Sequence, residues 1–158
     1  MENNEKLDPI VSDDSEILIL GSFPGLVSLR EQMYYANRGN RFWPMISEFY
    51  SEEKPTTTDQ KKKFLKKHKI ALWDVYKSVV RQGSMDIKIE KGEPNRIDEF
   101  LKKHQTIDKI IVAGKKAQKD FEINNNGVEF IPVPSTSGRN AHFGEFEKNK
   151  WKKALGIE

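Results

Sequence analysis

The sequence predicts an α/β fold in which a four-stranded parallel sheet lies between helices in a three-layer α/β/α arrangement. Short runs of branched apolar residues recur along the chain, and segments with helical spacing of apolar residues lie between them. The first run, 17–20, has no polar residue, which is typical of an inner strand covered on both faces. Strands that alternate with helices form parallel sheets, so residues 1–158 are predicted to be one domain.

The predicted elements follow one another along the chain. Residues 1–8 are polar and expected to be frayed, and the short apolar segment 9–11 is expected beside the first strand. Strands are predicted at 17–20, 70–73, 107–112 and 130–133. Helices are predicted at 26–33, 42–50, 60–68, from Asn95 or Asp98 through Leu101, 115–121 and 146–155. Residues 75–95 are expected to be irregular, with turns at 83–86 and 92–95.

Local signals mark two of the helix starts and their buried faces. Residues 56–59, Thr-Thr-Thr-Asp, are capping residues that precede the basic helix at 60–68. Pro44 suits the first turn of the helix at 42–50, which places Asn40 close to the N-terminus of that helix. Phe42 and Trp43 are predicted to be core residues, and Trp151 anchors the last helix.

Composition restricts the possible function classes. The chain has no cysteine, which excludes disulfides, thiol nucleophiles, thiolate zinc sites and cysteine-held iron–sulfur clusters. No apolar run has membrane-spanning length and the acidic N-terminus is unlike a signal peptide, so we expect a soluble cytoplasmic protein. The net charge is +3, but residues 1–16 carry −5 and the remainder +8, which is compatible with a polyanionic partner.

Three polar, glycine-containing clusters are expected where the carboxyl ends of the strands converge, at residues 21–25, 34–43 and 134–143. Ligands of open α/β sheets bind at that edge, and Asp74, at the end of the second strand, would lie there as well. The glycines of 21–25 allow a sharp turn and close approach to a ligand. The alternative for this segment is a plain tight turn between a strand and a helix.

Several common sites lack their sequence signatures. No G-x-G-x-x-G or Walker pattern follows a predicted strand, and Gly114-Lys-Lys is interpreted as a helix start, so nucleotide cofactors are not predicted. A serine hydrolase would have to use Ser22, Ser135 or Ser137 with His142, without a G-x-S-x-G elbow. The three histidines are widely separated, so no metal site is predicted either.

Three motifs occur in order within residues 9–155. The first combines Gly21-Ser-Phe-Pro-Gly25, Tyr34-Tyr-Ala and Asn40-Arg-Phe-Trp-Pro44; the second combines Ile70-Ala-Leu-Trp-Asp-Val75 with Gly83-Ser-Met-Asp86; the third is Val133-Pro-Ser-Thr-Ser-Gly-Arg-Asn-Ala141. Together they resemble the uracil-DNA glycosylase superfamily, and most closely its hypoxanthine-DNA glycosylase branch (family 6). This resemblance implies a four-stranded parallel sheet between helices. It also implies hydrolytic release of a damaged base from a nucleotide turned out of the duplex.

The resemblance also points to individual residues. In mismatch-specific uracil glycosylases the first motif is Gly-Ile-Asn-Pro-Gly, and its asparagine positions the attacking water. Phe23 stands at that position here and cannot hold water by hydrogen bonding. The hypoxanthine branch shares this loss and is thought to rely on an asparagine in a later Asn-x-Phe-Trp segment, which is Asn40 here. Related sequences commonly have His-Pro-Arg before this asparagine, whereas this chain has Asn37-Arg38-Gly39.

The residue types suit this chemistry, because cleavage places positive charge on the sugar and negative charge on the leaving base. Asn40 is the candidate catalytic residue, since its amide can orient water or hold the base edge; the alternative is a helix cap. Backbone N–H groups of the 21–25 loop are candidates to face the developing anion. Phe23 and Tyr35 either stack on the base or pack in the core, and Asp74 is either a turn residue or a pocket contact. The predicted base pocket consists of Gly21, Ser22, Phe23, Pro24, Gly25, Tyr35 and Asp74.

The 134–143 loop is the predicted DNA-binding loop, with Arg139 or Asn140 filling the gap left by the flipped base. Its alternative is a capped turn into the last helix. Its candidate residues are Pro134, Ser135, Thr136, Ser137, Gly138, Arg139, Asn140 and His142. The lysines of 61–67 and 148–153 either contact phosphates or form solvated helix faces.

Two function classes follow. The first is a monofunctional DNA glycosylase in base excision repair, monomeric and free of metal and cofactor, that acts on DNA containing hypoxanthine, and secondarily uracil or xanthine. The second is a non-catalytic module of the same fold that binds a nucleotide or damaged DNA. The segment 37–39 and Phe23 keep this second hypothesis open. A small-molecule hydrolase of similar topology is a third, more distant class.

Overall fold

The computed structural model describes residues 2–83 and 87–158, without the side chains of residues 2–5. Apart from Gly83, the turn predicted at 83–86 lies outside the described residues. In chain order the elements are β1 (Glu2–Glu5), β2 (Ile17–Gly21), α1 (Leu26–Glu31), α2 (Phe42–Phe49), α3 (Thr58–Lys67), β3 (Ile70–Asp74), β4 (Tyr76–Gln82), β5 (Ile87–Pro94), α4 (Ile97–Lys103), β6 (Lys109–Ala113), α5 (Lys115–Asn124), β7 (Ile131–Val133) and α6 (Glu145–Leu155).

The predicted four-stranded parallel sheet is confirmed. Its strand order is β3-β2-β6-β7, and all three pairings are parallel. β2 is an inner strand whose residues Leu18, Ile19 and Leu20 are fully buried, as their lack of polar neighbours predicts. The register between β2 and β3 pairs Gly21 with Asp74. The last residues of the two strands are therefore neighbours at the carboxyl edge.

Helices cover both faces of this sheet. On one face, Ile19 packs in a cluster that includes Phe42 of α2 and Trp151 of α6. On the other face, Leu18 packs in a second cluster that includes Phe121 of α5. Consecutive strand residues point to opposite faces, so β2 alone supplies both cores. The three-layer arrangement is thus as predicted, and no helix in the described ranges is long and apolar enough to span a membrane.

The expectation that residues 75–95 are irregular is wrong, because β4 and β5 form an antiparallel hairpin there. The exposed charged side chains of these two strands obscure the alternation of apolar and polar residues that would identify a strand in the sequence. They pair across the strands instead: Arg81 Nε lies 2.6 Å from Glu90 Oε1, and Lys77 Nζ lies 3.8 Å from Glu93 Oε2. Such cross-strand pairs stabilise a hairpin whose apolar residues are few.

Two expectations for the N-terminal segment are also corrected. Residues 2–5 are not frayed but form β1, which pairs antiparallel with β4. The free edge of β4 offers unpaired backbone groups to the polar segment, and no apolar pattern is needed for that pairing. Ile10 forms an antiparallel bridge with Leu72 of β3, so segment 9–11 lies beside the second predicted strand and not the first.

The predicted cap of the basic helix is present. α3 begins after Thr57, whose hydroxyl accepts a hydrogen bond from the backbone N–H of Gln60 at 3.1 Å, and the Gln60 side chain accepts in return from the Thr57 N–H at 3.4 Å. This reciprocal arrangement is a capping box. Of the two predicted starts of α4, neither Asn95 nor Asp98 is the cap, since Arg96 occupies that position.

Candidate active site

A cavity of about 860 Å³ opens at the carboxyl edge of the parallel sheet. The predicted base-pocket residues and Asn40 all lie on its wall: Gly21, Ser22, Phe23, Pro24, Gly25, Tyr35, Asn40 and Asp74. From the predicted DNA-binding loop, Ser135, Thr136, Ser137 and Arg139 line this cavity. Four other predicted loop residues are outside its wall: Pro134, Gly138, Asn140 and His142. The fold therefore brings the three sequence clusters together.

The 21–25 loop is held by the hairpin that the sequence did not predict. The backbone N–H groups of Val75 and Tyr76 donate to the carbonyl oxygens of Gly21 and Ser22, at 2.8 and 2.9 Å. The hydroxyl of Ser78, a fully buried residue of β4, donates to the Pro24 carbonyl oxygen. These three hydrogen bonds fix the carbonyl groups of residues 21, 22 and 24, and the residues of the loop also line the cavity.

Asp74 lies at the inner wall of the cavity and is only 7% exposed. Burial raises the pKa of its carboxyl group to about 7, although the backbone N–H of Gly21 acts in the opposite direction. A Cβ atom on Gly21 would lie 2.8 Å from Asp74 Oδ1, so only glycine leaves room for the carboxylate. The Asn95 side chain donates to the Asp74 carbonyl oxygen at 2.9 Å and fixes the backbone there.

Asn40 has a defined amide orientation. Its Oδ1 accepts one hydrogen bond from the Phe42 backbone N–H at 2.9 Å and another from the Thr136 hydroxyl at 2.8 Å. Because a backbone N–H can only donate, the atom that faces Phe42 must be the oxygen. The Nδ2 group forms no hydrogen bond with any residue in the described part of the chain. The cap position of α2 is Arg41 and not Asn40, which lies one residue earlier, accepts from the first N–H of the helix and keeps an amide donor at the cavity.

Two of the predicted aromatic residues lie only in the core, and two others also line the cavity. Phe42 and Trp43 are core residues, 0% and 4% exposed, as predicted. Tyr35 stacks on Phe42 with ring centroids 4.1 Å apart, and it also lines the cavity. Burial and the nearby Asp74 raise the pKa of its phenol far above the ordinary value, so the phenol stays protonated. Phe23 likewise both packs in the core, against the cluster of α4 and α5, and lines the cavity.

Tyr35 has a left-handed backbone, with a φ of 57°. This conformation is costly for a residue with a bulky side chain, and it is found mainly where the surrounding structure imposes it. It is the strained residue of the 34–43 segment among those described. Both Tyr34 and Tyr35 line the cavity, and Tyr34 also donates its hydroxyl to the carbonyl oxygens of Leu7 and Asp8.

The 134–143 loop is anchored at its start and braced within itself. The indole N–H of Trp151 donates to the Pro134 carbonyl oxygen at 2.9 Å. Asn140 uses its amide inside the loop, because its Nδ2 donates to the Ser135 carbonyl oxygen and its Oδ1 accepts from the His142 N–H. The Arg139 side chain is exposed and has no hydrogen bond or ion pair within residues 2–83 and 87–158. Of the two gap-filling candidates, Arg139 is therefore the one that is free.

This loop contacts the segment that carries Asn40. The Arg41 backbone N–H donates to the Thr136 carbonyl oxygen at 2.9 Å, and Arg41 Nη1 donates to the Ser137 carbonyl oxygen at 2.8 Å. A Cβ atom on Gly138 would lie 2.7 Å from the Gly39 carbonyl oxygen, so the two backbones touch. In the segment 37–39, the Asn37 side chain accepts from the Gly39 N–H at 2.9 Å and forms a tight turn.

The sequence interpretation missed two cationic residues of the site. Lys115 and Lys116, at the start of α5, are exposed on the cavity wall, although Gly114-Lys-Lys was interpreted only as a helix start. Their position directly after a strand was the available signal. Several lysines of the two predicted basic helices instead have local partners: Lys63 pairs with Asp59, Lys67 with Glu52 and Lys148 with Glu48.

Among the described residues, the serine and histidine side chains do not form the hydrogen-bonded pair of a serine hydrolase. The Ser22 hydroxyl oxygen is buried without a partner, and no described serine hydroxyl is hydrogen-bonded to His142. His68 lies apart from the cavity, with its Nε2 2.5 Å from Glu52 Oε2 and its ring stacked on Tyr50. Across the described ranges, no three acidic or histidine side chains form a group able to hold a metal ion.

Comparison with known proteins identifies the family. The model of the uracil DNA glycosylase superfamily matches residues 9–156. A hypoxanthine DNA glycosylase from Methanosarcina acetivorans is 36% identical over 146 residues, which is 90% of this chain and 92% of the relative. A hypoxanthine DNA glycosylase from Methanosarcina barkeri is 34% identical over 150 residues, covering 93% and 94% of the two chains.

A solved structure agrees with these sequence relationships. It is a solution NMR structure of a Methanosarcina acetivorans protein assigned to the uracil DNA glycosylases. That structure superposes with a TM-score of 0.78 at 33% identity and covers 98% of this chain and 97% of its own. With a family match over almost the whole chain and relatives above 30% identity, this protein belongs to the uracil DNA glycosylase superfamily.

Proposed function

We propose that this protein is a monofunctional DNA glycosylase that releases deaminated bases, hypoxanthine first and uracil or xanthine second. Two relatives with 36% and 34% identity are hypoxanthine DNA glycosylases, and the similarity extends over about nine tenths of each chain. The observation that carries the proposal is the pairing, on one cavity wall, of the free amide donor of Asn40 with the buried carboxyl group of Asp74. The enzyme acts as a monomer and requires neither metal nor cofactor.

Asn40 is the proposed catalytic residue. With its oxygen occupied by Phe42 and Thr136, its Nδ2 donates to the oxygen of the attacking water and leaves a lone pair of that water for the sugar. A reaction in which the sugar already carries positive charge needs a positioned nucleophile more than an activated one. Asp74, when ionised, stabilises that positive charge.

Asp74 also accounts for discrimination of hypoxanthine from adenine and of uracil from cytosine. Deamination of adenine or cytosine converts a ring nitrogen that accepts a hydrogen bond into an N–H group that donates one. An ionised carboxylate can only accept, so it bonds to the deaminated base and leaves adenine or cytosine unmatched. A site that pairs with one hydrogen-bonding pattern rejects the opposite pattern because a buried polar group is then left unsatisfied.

The remaining wall residues serve base binding and DNA contact. Tyr35 and Phe23 supply aromatic surface for the extruded base, a contact worth roughly 1–3 kcal/mol per stacked base. Arg139 fills the gap left in the duplex, and Lys115 and Lys116 contact phosphates near the flipped nucleotide.

Base release tests the proposal directly. Purified protein is incubated in excess with oligonucleotides that contain hypoxanthine, uracil, xanthine or only normal bases, and abasic sites are then cleaved with alkali. We expect cleavage at hypoxanthine first and none at normal bases. Absence of cleavage at every damaged base would exclude a glycosylase, and binding of damaged duplex without release would instead select the non-catalytic module.

The role of Asn40 is tested with Asn40→Asp. A carboxylate keeps both acceptor contacts, to the Phe42 N–H and the Thr136 hydroxyl, but lacks the donor group. We expect this variant to have the same unfolding temperature as the wild type. Its rate of base release should be at least a hundredfold lower. Asn40→Ala should lose release as well. Full single-turnover rate in Asn40→Asp would show that Asn40 only supports the start of α2.

A further inference from the structure

Thr136 differs from its neighbours in the 134–143 loop. It is only 2% exposed, whereas Ser137 is half-buried and Arg139 is exposed. Its hydroxyl donates to Asn40 Oδ1 at 2.8 Å, and its carbonyl oxygen accepts from the Arg41 N–H at 2.9 Å. A residue of the DNA-facing loop thus bonds to the side chain of Asn40 and to the backbone of the next residue.

These contacts control which end of the Asn40 amide faces the cavity. The terminal torsion of an asparagine is broad, so the oxygen and nitrogen exchange places easily unless neighbours distinguish them. Two donors converge on Oδ1, one from the Phe42 backbone and one from Thr136. Without the threonine hydroxyl a single donor remains, and the amide gains rotational freedom.

We infer that Thr136 is a positioning residue for base release, whose hydroxyl holds the Asn40 amide with its Nδ2 toward the cavity. This inference rests on the proposed function. Thr136 acts through Asn40 and not through DNA, because its hydroxyl is directed to the asparagine and its side chain is almost fully buried.

The rest of the loop keeps Thr136 in place. Arg41 Nη1 donates to the Ser137 carbonyl oxygen at 2.8 Å, and its guanidinium carbon lies 5.1 Å from the ring centre of Phe143. Gly138 contacts the Gly39 backbone so closely that a Cβ atom would clash. Loss of the Thr136 hydroxyl alone therefore leaves the loop docked and alters only the bond to Asn40.

The test compares Thr136→Val, which removes the hydroxyl at nearly constant shape, with Thr136→Ser, which retains it. Thr106→Val is a control remote from the site, because the exposed Thr106 donates its hydroxyl to the backbone oxygen of Ser15 at 2.6 Å, at the opposite edge of the sheet. The assay uses enzyme in excess over a DNA duplex that contains hypoxanthine. We expect Thr136→Val to release the base about tenfold more slowly than the wild type and to bind the duplex with an affinity within twofold of the wild type. Thr136→Ser should remain within threefold in rate, and Thr106→Val should be unchanged.

Two rate outcomes would overturn the inference. One is a wild-type release rate in Thr136→Val. The other is a parallel loss of DNA affinity and rate, which would make Thr136 a support of the loop only. If the valine variant does not fold, Thr136→Ala replaces it in the same comparison.

A second measurement does not depend on catalysis. The side-chain NH₂ resonances of Asn40 are assigned in an amide ¹⁵N spectrum by their absence in Asn40→Asp. They should shift in Thr136→Val, or in Thr136→Ala, and stay in place in Thr106→Val. Unshifted resonances would overturn the inference even if the wild type released no base, so failure of the proposed function and failure of this inference are distinguished.

Discussion

Asp74→Asn is expected to remove a pH-dependent destabilisation of the folded protein. Burial of the Asp74 carboxyl raises its pKa from 3.8 to about 7, so the folded state binds this proton more tightly than the unfolded state. Below pH 3.8 both states are protonated and Asp74 costs no stability. Between pH 3.8 and 7, Asp74 is ionised in the unfolded state but protonated in the folded state, so the free energy of unfolding falls as pH rises. Above pH 7 Asp74 is ionised in both states, and the loss of stability no longer changes with pH.

The size of this loss of stability follows from the shift of the Asp74 pKa. Three pKa units correspond to about 4 kcal/mol at about 1.4 kcal/mol per unit, and the part that develops between pH 5 and pH 8.5 is about 3 kcal/mol. Asparagine has nearly the same shape and does not ionise. Between these two pH values, the free energy of unfolding of the wild type should therefore fall by about 3 kcal/mol more than that of Asp74→Asn.

Urea unfolding of both proteins at pH 5 and pH 8.5 measures this difference. With a slope of about 2 kcal/mol per molar urea, the unfolding midpoint of the wild type should fall by about 1.5 M more than that of the variant. Other ionisable groups are common to both proteins and cancel in the comparison. Parallel pH dependence of the two midpoints would refute the reasoning, because Asp74 would then ionise alike in the folded and unfolded states.

Three further predictions concern catalysis. In single-turnover assays, base release by the wild type should rise with pH through about 7 as Asp74 ionises, and this inflection should be absent in Asp74→Asn. Gly21→Ala should lower release at least tenfold in the same assay, because its Cβ atom would approach Asp74 Oδ1 to 2.8 Å. Arg139→Ala should slow release from duplex DNA more than from single-stranded DNA, since only a duplex leaves a gap to fill.

Each of these predictions has a contrary result. A pH inflection that persists in Asp74→Asn would assign it to another group. Wild-type release by Gly21→Ala would mean that Asp74 can move without effect on the reaction. Equal slowing on both kinds of DNA by Arg139→Ala would make Arg139 a general DNA contact.

The sequence was most informative where local composition decides the structure. The polar-free run 17–20 predicted an inner strand, and because parallel strands end at one edge, the sequence placed Asp74 at the same edge as Gly21; their direct pairing depends on the strand order, which was not predicted. The hairpin of β4 and β5 did not follow from the sequence. Its exposed face carries charged side chains that pair across the strands, such as Arg81 with Glu90, and no single-strand pattern reveals such pairs.

Chemical properties of the site depend on long-range contacts and were less predictable. The motifs identified Asn40 and Asp74 as candidates, but the raised pKa of Asp74 results from burial that only the assembled fold creates. Likewise, Thr136 was predicted as one of eight DNA-loop residues, and its bond to Asn40 joins positions 96 residues apart. Residue type indicates what a side chain can do, whereas its tertiary neighbours determine which of those properties is available.

The same distinction bears on the segment Asn37-Arg38-Gly39 directly before Asn40, where the family resemblance implies His-Pro-Arg. These three residues are exposed and the Asn37 side chain closes a turn with the Gly39 N–H, while Asn37 also lines the cavity and its carbonyl oxygen accepts from the Asn40 backbone N–H at 2.9 Å. The Asn40 amide is fixed by the Phe42 N–H and the Thr136 hydroxyl, neither of which involves residues 37–39. The side chains of residues 37–39 therefore make no direct contact with the Asn40 amide, and the sequence of this segment is compatible with the amide orientation on which the proposed function depends.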